Sequence, residues 1–521
     1  MLVGLIAGAY IERKLNGRHS ISDNADNKIE EVLGYIRSEY VDEVDENKVE
    51  EAAVSAMLEE LDPHSQYVPK EEFDAVNDPL LGNFEGIGVA FRIEKDTVAI
   101  INTIKGGPSE RIGIQDGDRI VYVGDSLIAG VGIKNDDVMR LLKGPKGTKV
   151  KVKVARRDTD QLFEYTIKRD VIPTYSINAS FMLDDNIGYI KLDKFSATTY
   201  EEFVGAVRKL NKSGMKKLVL DLRDNAGGYL GAAVDLAGEF LPKGSLIVYT
   251  EGRNRPRQYI KASYRSSLRG TLVDMPVAVL IDDGSASASE IVAGALQDND
   301  RSITVGRRSF GKGLVQEQIM LNDNSAIRLT VARYYTPLGR SIQKPFTDDR
   351  EKYYYESLER YDNGELFNAD SIHFNDSLKY VTKKGKVLYG GGGIMPDVYV
   401  PLVDDSTLYF FNKIVNSGVM HQFAFDYSDS HRQQLLKYAD ARAFDKSFRV
   451  TDEMFAQLVD EAAKKKIEGT EVEKAAARQK TNVLLKAYIG RNIFGDECFY
   501  QLYLPIDDVL QRAVEELEKE N

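Results

Sequence analysis

The chain has 521 residues, and 69 basic against 81 acidic side chains leave a formal charge of −12, a balance that argues against nucleic acid and anionic membrane surfaces as main partners. Such a length exceeds one hydrophobic core, so roughly two to four domains are expected. The single cysteine, Cys498, excludes an intrachain disulfide and leaves the redox compartment open.

Leu2 to Ile11 is an apolar run closed by Glu12-Arg13-Lys14. It is too short for a bilayer, which takes about twenty residues. No positive stretch precedes it, and no small-x-small cleavage site follows cleanly. From the residues alone it is either an apolar arm or the remaining part of a signal anchor. Between 26 and 61, Ile29, Val32, Leu33 and Ile36, then Val49, Ala52, Ala53, Ala56 and Met57, recur at helical spacing, giving helices that pack on a core or dimerise. Pro69 and Pro79-Leu80-Leu81-Gly82 should break that pattern.

Short strands follow from 84 to about 170: Gly88-Val-Ala-Phe, Thr97-Val-Ala-Ile-Ile, Arg119-Ile-Val-Tyr-Val and Lys149-Val-Lys-Val-Lys-Val. Phe84-Glu85-Gly86-Ile87-Gly88-Val89 opens this region. Glycines there let successive backbone N–H groups converge on a carboxylate, beside a strand edge that accepts a peptide. The alternative is a glycine turn in an unrelated small barrel, against which the downstream stretch Gly107 to Asp118 resembles the PDZ signature of a short helix before a Gly-Asp turn.

From Asn178 the periods alternate. Gly188-Tyr-Ile-Lys-Leu is a strand, and Thr198-x-x-Glu201 reads as a capping box for a helix with Phe203, Ala206, Val207 and Leu210 on one face. Lys217 to Arg223 is a continuous apolar strand suited to a buried sheet. A helix from about Leu230 to Leu241 turns Ala233, Val234, Ala237 and Phe240 inward, and Pro276-Val-Ala-Val-Leu-Ile and Ser302-Ile-Thr-Val frame another helix. Strands alternating with helices give an α/β layer fold with active residues at strand ends. Tyr353 to Tyr389 lacks a clean period and reads as a surface excursion. Residues 404–521 carry long polar helices, such as Glu471 to Ile489, with no evident chemistry.

Two positions stand out chemically. Ser287 lies in Ser285-Ala-Ser-Ala-Ser-Glu290 and Lys312 in Phe310-Gly-Lys-Gly313. A serine hydroxyl needs a base to take its proton, and an amine serves only when desolvation lowers its pKa. The sequence has no Gly-x-Ser-x-Gly elbow and no His-Glu-x-x-His motif, and His19, His64, His373, His421 and His431 show no metal-ligand spacing. Each half also has a plainer reading. Ser287-x-x-Glu290 is a helix capping box. Gly306 to Lys312 fits a phosphate-binding loop, but Gly313 stands where that loop needs Ser or Thr.

Taken in order, Leu61-Asp-Pro-His-Ser-Gln-Tyr67, Phe84 to Val89, Asp221-Leu-Arg-Asp-Asn-Ala-Gly-Gly228, the serine and lysine motifs, Tyr335-Thr-Pro-Leu-Gly-Arg-Ser-Ile-Gln343 and Gly391-Gly-Gly-Ile-Met-Pro-Asp397 resemble the C-terminal processing peptidases of family S41. The resemblance runs from about residue 30 to about 403. It implies a crotonase/Clp-like α/β core with an inserted PDZ domain and flanking helical segments. The expected divisions are 1–25 (apolar arm or partial anchor), 26–82 (helical), 83–172 (PDZ), 173–403 (catalytic core) and 404–521 (helical).

In that family pattern Ser287 is the nucleophile, Lys312 the general base and Gln316 its orienting partner. The oxyanion donors come from Ala288 and the Gly227-Gly228 turn, and Asp298 matches an acidic position linked to activity. An ordinary strand residue at 316, a plain turn at 227–228 and a helix-end cap at 298 remain open readings. Gly86, Ile87, Gly88 and Val89 would hold a substrate's C-terminus. The resemblance implies no metal or organic cofactor, protein or peptide substrates bound by their C-termini, and a homodimer. It also favours the signal-anchor reading, hence a membrane tether at the N-terminus and the periplasmic face of a bacterial envelope. The rival readings are a catalytically silent PDZ scaffold and an acyl-CoA enzyme on the related core.

Overall fold

The computed structural model describes residues 28–519 apart from 158, 264–267, 269, 347–349, 374 and 404. The apolar run at 2–11, the whole 1–25 segment and His19 lie outside the described residues. Two helices, Lys28–Glu39 and Glu46–Glu59, lead into the short strand β1 (Gln66–Val68). The first buries no residue, so Ile29, Val32 and Tyr35 stay exposed.

The helix Phe73–Leu81 runs through Pro79 instead of stopping before it, which corrects the expected break. So near the helix end proline costs only one backbone hydrogen bond. Gly82, at φ +76°, supplies the left-handed cap. β2 (Asn83–Gly86) then pairs antiparallel with β9 (Asp170–Pro173), closing off an insertion. Inside it, β3 (Val89–Glu94), β4 (Thr97–Thr103), β5 (Arg119–Val123), β6 (Ser126–Leu127), β7 (Lys149–Ala155) and β8 (Leu162–Lys168) form an antiparallel sheet. Its order is β3-β4-β5-β7-β8, with β6 on β5. Alternation in β7 sends Val150, Val152 and Val154 into a core with Ile100, Ile120 and Ile167, against Val138 and Leu142 of the helix Asn135–Leu142.

The central sheet has the order β10 (Ile177–Met182), β11 (Ile187–Leu192), β12 (Lys217–Asp221), β15 (Val277–Ile281), β16 (Ile303–Gly306), β21 (Val398–Tyr399), parallel from β11 onward. Both faces are buried, as parallel strands require. Ile190, Leu218, Leu220, Val277 and Val279 face the helices Thr199–Lys212, Leu230–Gly238 and Ala288–Asp298. Tyr189, Val219, Ala278 and Leu280 meet Val509, Leu510, Ala513 and Leu517 of the C-terminal helix Asp508–Lys519. A second, antiparallel sheet contains β1, β13 (Leu246–Gly252), β14 (Arg255–Lys261), β17 (Leu314–Met320) and β18 (Ala326–Tyr335), in the order β1-β18-β13-β14 with β17 on β18. A small hairpin joins β19 (Lys379–Val381) to β20 (Val387–Tyr389).

Three expectations change. The Thr198-x-x-Glu201 box does not form: the Thr198 hydroxyl donates to Glu202 at 2.7 Å, and Ser196 accepts the Thr199 N–H at the helix start. In Leu230–Gly238 Leu236 is fully buried beside Ala233 and Ala237, while Val234 is only partly buried. The stretch from Tyr353 lies at the surface over much of its length but is anchored at its start. Helix Arg350–Asp362 buries Tyr353 and Arg360, whose guanidinium caps the carbonyls of Arg308, Ser309 and Phe310. Aromatic and charged residues hid this because their burial depends on distant partners rather than on period.

The C-terminal helices, from Tyr409–Asn416 to Asp496–Tyr503, enclose a separate core that includes Phe410, Met420, Phe444, Leu458, Leu485 and Cys498.

Candidate active site

β15 ends at Ile281 and the helix Ala288–Asp298 begins six residues past Asp282, with Ser287 at its N-cap. The connecting loop is tied to the end of β12. Ser285 Oγ donates to Leu222 O at 2.8 Å, and the Ala286 N–H and Ser289 Oγ both reach Asn225 O. Ser287 sits at φ +52°, ψ −109°, where a residue with a Cβ is strained by about 1–3 kcal/mol and must be held by its surroundings.

What holds it is Glu290. Its Oε2 accepts the Ser287 N–H at 2.8 Å and the Lys312 N–H at 2.9 Å. Its Oε1 accepts the Gly311 N–H at 2.8 Å and Ser309 Oγ at 2.5 Å. Of the capping box anticipated here the acidic half is present, while Ser287 Oγ makes no cap hydrogen bond among the described residues; the acidic member also ties the lysine segment to the serine. Burial pushes this carboxyl up to about 7, against the pull of its four donors. Tyr334 adds a second tie, its hydroxyl lying 3.0 Å from Ser287 O and 2.6 Å from Lys312 O.

Ser287, Lys312 and Gln316 line one cleft of ≈ 520 Å³, with Gly228, Leu230, Ile291, Val315 and Arg328. Lys312 Nζ donates to Gln316 Oε1 at 3.0 Å, and Gln316 Nε2 donates to the His64 carbonyl at 2.6 Å. No hydrogen bond joins Lys312 Nζ to Ser287 Oγ among the described residues; such contacts commonly tighten only around substrate. Burial lowers the Lys312 pKa, with the nearby Arg328 cation lowering it further. The His64 ring meets the Tyr353 hydroxyl at 2.9 Å and is pushed down to about 4 by burial and by Lys312. The neutral ring stands behind Gln316 and does not line the cleft.

The oxyanion candidates divide. The Gly227 N–H is taken by Asn225 Oδ1 at 2.9 Å. Among the described residues the N–H groups of Gly228 and Ala288 meet no acceptor. Gly228, at φ +144°, has no room for a side chain, since a Cβ would lie 2.0 Å from Phe195 O. Asp298 is not brought to the cleft. It lies at the far end of the serine helix, accepting Arg340 Nη2 at 2.5 Å and the Leu338 N–H at 2.9 Å in a fully buried ion pair. Gly86 ends β2 and Val89 begins β3, and among the described residues the N–H groups of Ile87 and Gly88 between them meet no acceptor.

Sequence reasoning singled out Ser287, Lys312 and Gln316 but missed the wider work of Glu290, read only as a cap, and the parts played by Asn225, Tyr334, Arg328 and the His64 carbonyl. The Asp62-Pro-His-Ser motif carried a signal for the last. Asp62 Oδ1 accepts the N–H groups of His64 and Ser65, which fixes the turn presenting that carbonyl.

Residues 186–351 match peptidase family S41 and 86–167 a PDZ domain. Residues 9–72 match the N-terminal domain of the activating protease CtpB, and 410–495 a family of unknown function. The carboxy-terminal processing protease CtpA of Bacillus subtilis (strain 168) is 34% identical over 326 residues, covering 62% of this chain and 68% of that one. The chain belongs to peptidase family S41. It is a serine protease of the carboxy-terminal processing kind and carries a PDZ domain. A probable CtpA-like serine protease of Staphylococcus aureus (strain N315) is 34% identical to the protease over 358 residues, 68% of this chain and 70% of that one. Among solved structures, the photosystem II D1 C-terminal processing protease is 25% identical, with TM-score 0.37, over 71% of this chain and 85% of that one. The PDZ domain of the Vibrio cholerae carboxy-terminal protease, in complex with peptide, is 39% identical with TM-score 0.16, over 17% and 97%.

Proposed function

We propose that the protease cuts peptide bonds with a Ser287–Lys312 dyad on a crotonase/Clp-like core and selects substrates by their free C-termini. The observation carrying this reading is the desolvated Lys312 amine, held by Gln316 in the cleft that Ser287 lines. The neutral amine takes the Ser287 proton as Oγ attacks the scissile carbonyl, and the resulting ammonium returns it to the leaving amine. The oxyanion that develops meets the unoccupied N–H groups of Gly228 and Ala288. Gly227 serves by its close approach to Ser287, while Asp298 braces the serine helix through Arg340.

In the PDZ domain the free N–H groups of Ile87 and Gly88 lie beside β3, an edge strand. A substrate tail adds to that edge and places its carboxylate on the N–H pair, which tethers the upstream chain near Ser287. The divisions at 83–172, 173–403 and 404–521 follow this assignment. Substrates are envelope proteins met on the periplasmic face. The exposed apolar side chains of Lys28–Glu39 suit a homodimer interface.

The test is cleavage of one peptide in acid and amide forms by the wild type, Ser287→Ala and Lys312→Ala. Either substitution should abolish turnover with the fold intact, because nucleophile and base act as a unit. The amide should be cut more slowly. Substantial turnover by Lys312→Ala would end the dyad assignment, and equal rates for acid and amide would end the carboxylate-reading role.

A further inference from the structure

The region that matches a family of unknown function has a clear mechanical position. On one side it is fastened to the catalytic sheet. The chain leaving it carries Asp507, which pairs with Arg223 at 2.8 Å, next to the 224–228 oxyanion turn. Lys217 Nζ reaches the Leu517 carbonyl at 2.7 Å, and the helix Asp508–Lys519 covers the back of β12, β15 and β16.

On the other side, one face of the helix Val419–Ser430 lies against the PDZ sheet. His421, Gln422, Phe425 and Asp429 are spaced to share that face. Asp429, 8% exposed, accepts Arg119 Nη2 at 2.7 Å and lies 3.5 Å from Arg157. Just past the helix, Arg432 reaches back to Asp116 at 3.6 Å and to the Ile101 carbonyl at 3.4 Å. Gln422 accepts from Arg92 Nη2 at 2.9 Å and donates to Glu94 Oε2 at 2.6 Å. The Arg92 guanidinium also lies over the Phe425 ring, 4.6 Å from its centroid.

These contacts fall on a particular part of the PDZ domain. Arg92 and Glu94 alternate along β3 with Phe91 and Ile93, which turn into the domain core. The grip is therefore on the sheet face opposite the helix Asn135–Leu142, and among the described residues the outer edge of β3 keeps no strand partner. A further tie holds the groove side, where Lys143 pairs with Asp78 at 2.8 Å. Asp78 belongs to the helix whose Asn77 and Leu80 line the cleft.

We propose that the C-terminal helical unit is a bracket. It holds the PDZ domain at one distance and orientation from the cleft, so that the protease cuts at a set number of residues from its substrate's C-terminus. The ruler half rests on the tail-binding reading above; the bracket half does not. A tethered domain free to swing would deliver many bonds to Ser287, since a flexible linker samples a range of separations. A domain fastened at the β2–β9 ribbon, at Asp78 and along Val419–Ser430 presents one stretch of the bound chain.

The experiment uses the full chain with Lys151→Cys and Lys212→Cys, both exposed, spin-labelled for inter-label distances. Cys498 is buried, with its thiol pushed up to about 12, and escapes labelling. Unbracketed variants carry Gln422→Ala with Asp429→Ala. Arg119→Ala, on the PDZ side, replaces them if that pair fails to fold. The parent should give one narrow distance and the variants a broad distribution. With unlabelled enzyme, mass spectrometry of products from substrates with lengthened tails should show the cut keeping its count from the C-terminus, and the variants scattering it. A broad parent distribution, or a narrow one in the variants, overturns the bracket. If acid and amide tails are cut alike and the cut ignores the C-terminus, the tail reading fails and takes the ruler with it. Acid-dependent cleavage with scattered cuts in the parent refutes the ruler alone.

Discussion

Glu290→Gln is the perturbation that tests the site most directly. The side chain keeps its shape, but one of its two acceptor oxygens becomes an NH₂ donor. If the amide nitrogen takes the Oε2 position, the N–H groups of Ser287 and Lys312 both lose their acceptor. If it takes the Oε1 position, the Gly311 N–H loses its acceptor while Ser309 Oγ can turn to accept. The better arrangement still leaves one buried donor unsatisfied, costing about 1–3 kcal/mol. The segments carrying Ser287 and Lys312 then lose part of their common anchor, and for the proposed dyad a shift of ~1 Å there costs on the order of 100-fold in rate. Steady-state assays should show kcat falling by about that factor with KM little changed. The pH profile gives an independent readout. Since Glu290 is pushed up to about 7, the wild type loses this acceptor as pH falls through that value, separately from the protonation of Lys312, whose pKa burial lowers. The variant keeps only the lysine ionisation, so its acid limb should be shallower. An unchanged kcat, or an acid limb as steep as the wild type's, would refute the anchoring role.

Arg328→Gln removes a cation that lowers the Lys312 pKa; more lysine is then protonated at a given pH, so the acid limb of kcat/KM should move to higher pH, with Arg328→Lys restoring it. Gly228→Ala would place a Cβ 2.0 Å from Phe195 O and displace the N–H proposed as an oxyanion donor, for which a kcat loss of about 10²–10³-fold is expected in the same assay. Asp298→Asn leaves Arg340 buried without its counter-charge, so denaturant unfolding should report a loss of about 3–5 kcal/mol. Where the variant stays folded its kcat should persist, and a selective loss of turnover would restore Asp298 to the catalytic group.

Residue type and period carried much of this protein. β7 alternates because each second valine must enter a core, and β12 and β15 read as unbroken apolar runs because helices cover both faces. Family motifs singled out Ser287, Lys312 and Gln316, the three residues that the fold brings into one cleft. Tertiary structure alone decided which of the two glycine N–H groups stays free, since that depends on where Asn225 points. It also decided that Glu290 reaches Lys312, 22 residues further along the chain, that Asp298 faces Arg340 rather than Ser287, and that Tyr353 lies against His64. The C-terminal helices show the division most sharply. Their sequence reports amphipathic packing, but whether His421, Gln422 and Asp429 face solvent or the PDZ sheet depends on partners some 300 residues away. Local pattern follows from the backbone's own periods, whereas long-range pairing of polar groups follows from where the fold delivers them.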